Sequence, residues 1–424
     1  MKLPQLLTAA LILLFSAVAS AQTSFDNFAL TGITLIDANH IPGLPHQTVI
    51  IRNGRISNIF PDNSQPIPDT VNILRAPGKY LIPGLIDTHV HMATDPSGTD
   101  NRPNTLRVLE KMLRSGITTV RDMAGDARVL AELSRDARTG DILSPDIYYS
   151  ALMAGPDFFT DPRTQSSTAG GISGQMPFMR AVTATTDFPL AVAEAKGTGA
   201  TGIKLYSDLS PELVNKITAE AKRQGLLVWG HAWLQQSKPS DIVKAGVGSI
   251  SHAPLLLYEE MDSMPVAWRR GHHDAKYWDD HIHVDPVLLA NMKAHHTIFD
   301  ATILTYERLA DQDSNRSNVR PIIRRIVAQA YKAGVIICTG TDDDQEEFVQ
   351  GEMHALAKDA GMSNSDVLIA ATRNGAMALG IESTTGTIET GKIANLVLLD
   401  RNPLDDIDNV KSVYLVIKAG RIFK

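Results

Sequence analysis

The sequence predicts an α/β fold: a (β/α)8 TIM barrel joined to a small discontinuous β-sandwich built from both termini. Three observations predict it. Eight short apolar strands alternate with helical stretches between about Gly84 and Gly380. Histidine, lysine and aspartate gather near the C-terminal ends of several of those strands, where a parallel barrel carries its chemistry. Strand-rich stretches flank the alternation, one at each end of the chain.

Composition bounds the rest. With 424 residues, 43% of them hydrophobic and 21% charged, the chain is long and apolar enough for a full core and is not disordered. A formal charge of -7 makes a nucleic-acid or anionic-membrane partner unexpected. The single cysteine, Cys338, excludes an intramolecular disulfide framework and any Cys-rich zinc site, so a metal must be held by histidines and carboxylates. Residues 1–21 read as a secretory signal: Lys2, an apolar run from Leu6 to Val18, then Ala19-Ser20-Ala21 before Gln22. That run of about 13 residues falls short of the ~20 needed to span a bilayer. The expectation is a periplasmic or secreted protein with no stable membrane anchor.

The sandwich draws on residues 22–80 and 381–424. Thr48-Val49-Ile50-Ile51-Arg52-Asn53-Gly54-Arg55-Ile56 and Val413-Tyr414-Leu415-Val416-Ile417-Lys418-Ala419-Gly420-Arg421-Ile422 both read as strands joined by tight turns. Neither end alone has enough apolar surface for its own core, so the two pair. The barrel covers 81–380. Its strands are expected at Leu85 to His91, Thr118 to Asp122, Ile147 to Met153, Gly202 to Ser207, Leu226 to Ala232, Ser249 to Ala253, Thr297 to Ile303 and Val335 to Asp342. Ser210-Pro211-Glu212 starts a helix that Gly225 ends, and Ser365 to Leu379, closed by Gly380, repeats the pattern. No Gly-rich dinucleotide or P-loop fingerprint follows a strand, which favours the closed barrel over an open sheet.

A buried parallel strand should be a plain apolar run, so a polar residue near its C-terminal end calls for a reason. His89 and His91, at i and i+2 on the first strand, face one side and can bind one ion together. His231 lies near the end of the fifth strand, His252 ends the sixth and Asp342 the eighth. Lys204 interrupts the fourth. A buried ammonium among cations is disfavoured, so a lysine in a two-metal site should be neutral or altered; CO2 would convert it to an anionic bridging carbamate. Its bland alternative is an ammonium paired with a carboxylate. Tyr206, at i+2 from Lys204, should face the same site. Cys338 reads as a packed thiol. The second His-x-His, His281 and His283, sits among aspartates and reads as a solvated loop; His272-His273 and His295-His296 read as loop or helix-end residues.

Pro83-Gly84-Leu85-Ile86-Asp87-Thr88-His89-Val90-His91, Gly116-Ile117-Thr118-Thr119-Val120-Arg121-Asp122 and Gly386-Thr387-Ile388-Glu389-Thr390-Gly391-Lys392-Ile393-Ala394-Asn395 resemble the amidohydrolase superfamily. The likeness runs in family order through almost the whole chain after the leader. It is strongest to the imidazolonepropionase-related branch, with its Xaa-Pro and Xaa-Arg/Lys dipeptidases and ochratoxinase-like amidases. The resemblance implies two Zn2+ ions, His89 and His91 on one and His231 and His252 on the other. Lys204, carrying a CO2-derived carboxylate, would bridge them, and Asp342 would bind the first ion and handle protons. In the acidic run Asp342-Asp343-Asp344 the family more often shows a small residue, so the ligand could shift by one position.

The implied reaction is attack of a metal-bridging hydroxide on an amide carbonyl in a small substrate, a dipeptide or N-acyl amino acid, with Tyr206 aiding the oxyanion. Rival readings stay open. A lactonase or esterase would use the same hydroxide. A deaminase would want a glutamate three residues after the fifth-strand histidine, where this chain has Leu234. A metal-free scaffold relative would have lost its ligands, and a homo-oligomer is compatible with all of these. Substrate choice is expected in the loop Ala154 to Thr186, Gly- and Ser-rich enough to close over the site, and in the loop from Pro254 to His283 with Tyr258, Arg269, Arg270 and His272. His354 reads as a residue lying behind the ligands.

Overall fold

The computed structural model describes residues 27–93, 101–260, 283–312, 319–342 and 348–423. The expected leader, residues 1–21, lies outside the described residues, as do Arg269, Arg270, His272, His281, Asp343 and Asp344. Among the described residues no helix is long and apolar enough to cross a membrane.

Eight parallel strands form the barrel: Leu85–Val90, Ile117–Asp122, Asp146–Ala154, Gly202–Leu205, Leu227–His231, Ser249–Ser251, Ile298–Asp300 and Ile336–Cys338. Each pairs in parallel with the next. Backbone bonds bring the last back to the first: the Thr88 N–H donates to the Thr339 carbonyl at 2.9 Å and the Asp342 N–H to the His89 carbonyl at 2.8 Å. Nearly every strand residue is buried, as helices on one face and packed side chains on the other require.

The sixth, seventh and eighth strands stop earlier than the apolar runs suggest. Left-handed residues lie just past each of these ends, with φ of 80° at His252, 50° at Thr302 and 49° at Asp342. Extended pairing cannot continue through such a residue, and His252 and Asp342 line the cavity at the barrel mouth. Helix boundaries follow local chemistry. The Ser210 hydroxyl accepts the Leu213 N–H to start Pro211–Gln224, and Gly225 ends it at φ 77°.

The terminal strands form one mixed eight-stranded sheet. Its seam is Tyr80–Pro83, antiparallel to Leu396–Leu399. At the far side the Asn53-Gly54 turn comes back to the C-terminal segment, where Arg55 bridges Ile393 and the Ala394 N–H donates to the Gly54 carbonyl at 2.8 Å. The sheet thus folds over a shared core of Phe28, Leu30, Ile33, Val49, Ile51, Leu81, Leu398, Leu415 and Ile417. Lys418 ties it to the barrel, its ammonium donating to the Ala137 carbonyl at 2.8 Å and lying 2.9 Å from Asp146 Oδ1. Leu398→Ala, at the seam between the two ends of the chain, should destabilise by about 2–5 kcal/mol. A lowered urea midpoint would register this loss; an unchanged midpoint would show that the seam carries no stability.

Candidate metal centre and active site

The barrel mouth collects His89, His91, Tyr206, His231, His252 and Asp342 around one cavity of about 370 Å³, lined further by Ala124, Leu152, Phe158, Arg163, Thr164, Ser167, Met179 and Thr305. Asp342 Oδ1 lies 3.0 Å from His91 Nε2 and 3.5 Å from His89 Nε2, and Asp342 Oδ2 lies 3.9 Å from His252 Nδ1. One donor atom each from His89, His252 and Asp342 falls within 4.8 Å of the others, close enough to hold a cation. This grouping sets the sixth-strand histidine beside the first-strand one, and His91 joins the cluster through its 3.0 Å approach to Asp342. The His231 ring packs 4.5 Å from His252 and 4.0 Å from Tyr206, which stacks on Phe158 at 4.3 Å.

Lys204 is near enough to His89, His91, His231 and His252 to oppose their charging, although it does not line the cavity. Its side chain is fully buried and its Nζ makes no hydrogen bond. Burial pushes the amine down to about 7, so it is held near the point of losing its proton. Burial likewise lowers His89, drives His252 to about 3 and takes His231 well below the ordinary histidine range. Neutral imidazoles offer lone pairs, which a metal requires of its ligands. His91 goes the other way: burial opposes its charge, but the bond to Asp342 outweighs it. Asp342 is correspondingly held well below the carboxylate range by His89 and His91 against the cost of its burial. The donor set and the unpartnered Lys204 amine therefore fit a divalent metal.

A second ring of buried groups orients the first. His89 Nδ1 bonds Asp300 Oδ2 at 2.7 Å, leaving Nε2 for the cavity. Ser251 donates to the same oxygen at 3.1 Å. Asp87 accepts the His89 N–H and the Thr341 N–H, both at 3.1 Å, and the Thr341 hydroxyl at 2.8 Å. It thereby fixes the first strand against the turn that carries Asp342. The Thr305 hydroxyl bonds the Thr341 carbonyl at 2.9 Å and the Asp342 carbonyl at 2.7 Å. His252 Nδ1 meets the Thr302 hydroxyl at 2.9 Å. Arg121, fully buried, donates to the Thr88 carbonyl at 2.6 Å and stacks over Trp229.

Several of these were missed in the sequence. Asp300 carried a weaker form of the signal, a charged group in the middle of the expected strand Thr297 to Ile303. Arg163 gave no signal, because its position depends on how the Ala154 to Thr186 segment folds. That segment forms a 3-10 turn, a short helix at Pro162–Ser167 and a strand, Met179–Ala181, paired beside Leu152–Ala154. Of the other candidates, Tyr258 is buried against Trp233 and does not line the cavity, while His283 is exposed. His354 lies elsewhere, 2.9 Å from Asp408 in a separate cavity beside the terminal sheet, so it does not back the ligands as expected. Cys338 is a packed thiol, 3.3 Å from the Thr88 hydroxyl and pushed up to about 12 by burial.

The model of the amidohydrolase family matches residues 80–423. The chain belongs to this family. An imidazolonepropionase of Thermoplasma volcanium is 21% identical over 90% of this amidohydrolase and 89% of its own length. A 76-residue stretch, 18% of the chain, is 36% identical to an adenine deaminase of Ruegeria pomeroyi but spans only 12% of that protein. A crystal structure of a Xaa-Pro dipeptidase with bound methionine in the active site superposes with a TM-score of 0.77 at 22% identity, covering 94% of this chain and all (100%) of that one. A prolidase complexed with N-methylphosphonate-L-proline superposes with a TM-score of 0.74 at 25% identity over 94% and 99% of the two chains.

Gly340 lies where these groups converge: a Cβ there would fall 2.3 Å from Asp300 Oδ1 and 2.8 Å from the His89 Cβ. Gly340→Ala should displace Asp300 from His89 and weaken binding of a divalent metal ion about 10- to 100-fold. Competition with a chromophoric chelator measures this; unchanged affinity would remove Asp300 from the account.

Proposed function

We propose that this amidohydrolase is an exported two-zinc hydrolase that cleaves the amide bond of a dipeptide or N-acyl amino acid. The fully buried Lys204 amine, which makes no hydrogen bond and opposes the charging of all four neighbouring histidines, carries the proposal. As a carbamate it would gain the cations it lacks, with His89, His91 and Asp342 on one ion and His231 and His252 on the other. Divalent zinc at such a site makes water nucleophilic near neutral pH and polarises a carbonyl oxygen.

The chain's own groups supply the remaining steps. Water attacks the carbonyl carbon, and the Asp342 carboxylate takes its proton and delivers it to the amine nitrogen as the C–N bond breaks. Tyr206, kept as a neutral phenol by burial against the opposing influence of Arg163, donates to the developing oxyanion. Deamination is disfavoured because the position three residues after His231 is Leu234, a buried aliphatic with no proton to give. The likeness to the prolidase complex supports the amide reading over the lactone one.

An assay of N-acyl amino acids and dipeptides beside lactones and aminopurines tests the reading, and preferred turnover of aminopurines would overturn it. Lys204→Ala should lower kcat/KM by about a hundredfold or more and reduce bound zinc toward one ion per chain. Zinc reconstitution in CO2-free buffer should give little activity until bicarbonate is added. Full activity without bicarbonate would exclude the carbamate.

A further inference from the structure

The cavity has two electrically distinct sides. One is the cluster of His89, His91, His231, His252 and Asp342. Facing the same space is Arg163, the only lysine or arginine that lines the cavity among the described residues. Between them stands Tyr206, hydrogen-bonded to Arg163 and packed 4.0 Å from the His231 ring. Leu152, Phe158 and Met179 supply apolar wall. A permanent cation placed beside an apolar wall, next to a site built for a polar reaction, is an orienting device for an anionic group.

Arg163 is aimed rather than loose. Asp161 caps the helix Pro162–Ser167, its Oδ1 accepting the Arg163 N–H at 2.9 Å. The same carboxylate takes Nε at 3.1 Å and Nη2 at 2.9 Å, so one edge of the guanidinium is clamped. Two of the five guanidinium N–H bonds are used there, and the others remain for Tyr206 and for a ligand. An equivalent clamp joins Arg128 to Asp126 and both arginine side chains are about half exposed, but Arg128 spends a donor on the Ala169 carbonyl at 3.0 Å and does not line the cavity. Only the clamp at Arg163 points its guanidinium at the cavity.

We infer that Arg163 is the specificity residue that binds the substrate's free carboxylate, so that the enzyme requires an amide with a carboxylate close to the scissile bond. This deepens the amide-hydrolase reading and rests on it for the reaction. A cavity of about 370 Å³ suits a ligand of dipeptide size. The planar guanidinium can hold a carboxylate through two N–H bonds, whereas an ester or primary amide at that position offers no charge to pair.

The test uses the full-length zinc-loaded enzyme and two matched compounds, N-acetyl-L-methionine and N-acetyl-L-methioninamide. The wild type should favour the carboxylate in kcat/KM by about tenfold to a hundredfold, the usual range for a charge-assisted pair. Arg163→Met should bring the ratio of the two kcat/KM values close to one, whatever common loss follows from removing the bond to Tyr206, and Arg163→Lys should restore part of the ratio. Calorimetry should show weaker binding of N-acetyl-L-methionine to Arg163→Met by a similar factor. Equal loss on both compounds, or unchanged binding of the carboxylate, would overturn the assignment. Arg163-dependent binding in an enzyme that hydrolyses no amide would instead overturn the reaction and leave the carboxylate site standing.

Discussion

A buried amine sets the constraint on which the barrel mouth is built. The fourth strand, Gly202–Leu205, buries Lys204 completely and leaves its amine with no hydrogen-bond partner. An ammonium in that setting is expensive, and the neighbouring imidazoles cannot repay it. Nearby Asp300 and Asp342 pull toward the charged form, but they are already engaged by His89 and His91. The position therefore favours a chemical state of lysine that carries no positive charge, and the proposed carbamate would meet that demand.

Everything around the amine serves to hold donors in place. Asp300 fixes the tautomer and direction of His89; Asp87 and Thr305 pin the turn that presents Asp342; Thr302 holds His252. Three left-handed residues in a row of adjacent strands, His252, Thr302 and Asp342, carry backbone strain of about 1–3 kcal/mol each. That strain is tolerable because the barrel walls beneath are close-packed and fully paired. Stability is thus concentrated in the strands and helices, while the mouth keeps conformations chosen for binding.

Much of the fold was legible because its signals are local. Strand runs such as Leu85 to Val90, the Ser210-Pro211 start and the Gly225 stop are written in neighbouring residues. The candidate metal side chains could be picked out because charge at the end of an apolar strand conflicts with burial. Asp300 lies in the middle of the expected strand Thr297 to Ile303, and only the early end of that strand, at Asp300, puts its carboxylate among the site residues. Arg163 and the misplaced His354 mark the limit. Their positions follow from how a 33-residue connection folds back on the mouth and from how the terminal sheet docks, and neither is encoded in the adjacent sequence. Strand ends at His252 and Asp342 were set too late for a related reason, since a left-handed turn forced by tertiary contacts leaves no compositional trace.

The same separation divides the mouth of the barrel. The strands supply the candidate metal side chains, and the segment after the third strand adds Phe158, Arg163 and Met179 to the cavity wall. Diffraction from zinc-loaded crystals at the zinc absorption edge tests the centre most directly. The account predicts two anomalous peaks among His89, His91, His231, His252 and Asp342, with density extending beyond Lys204 Nζ to touch both. A single peak or none, or a lysine ending at its nitrogen, would contradict it.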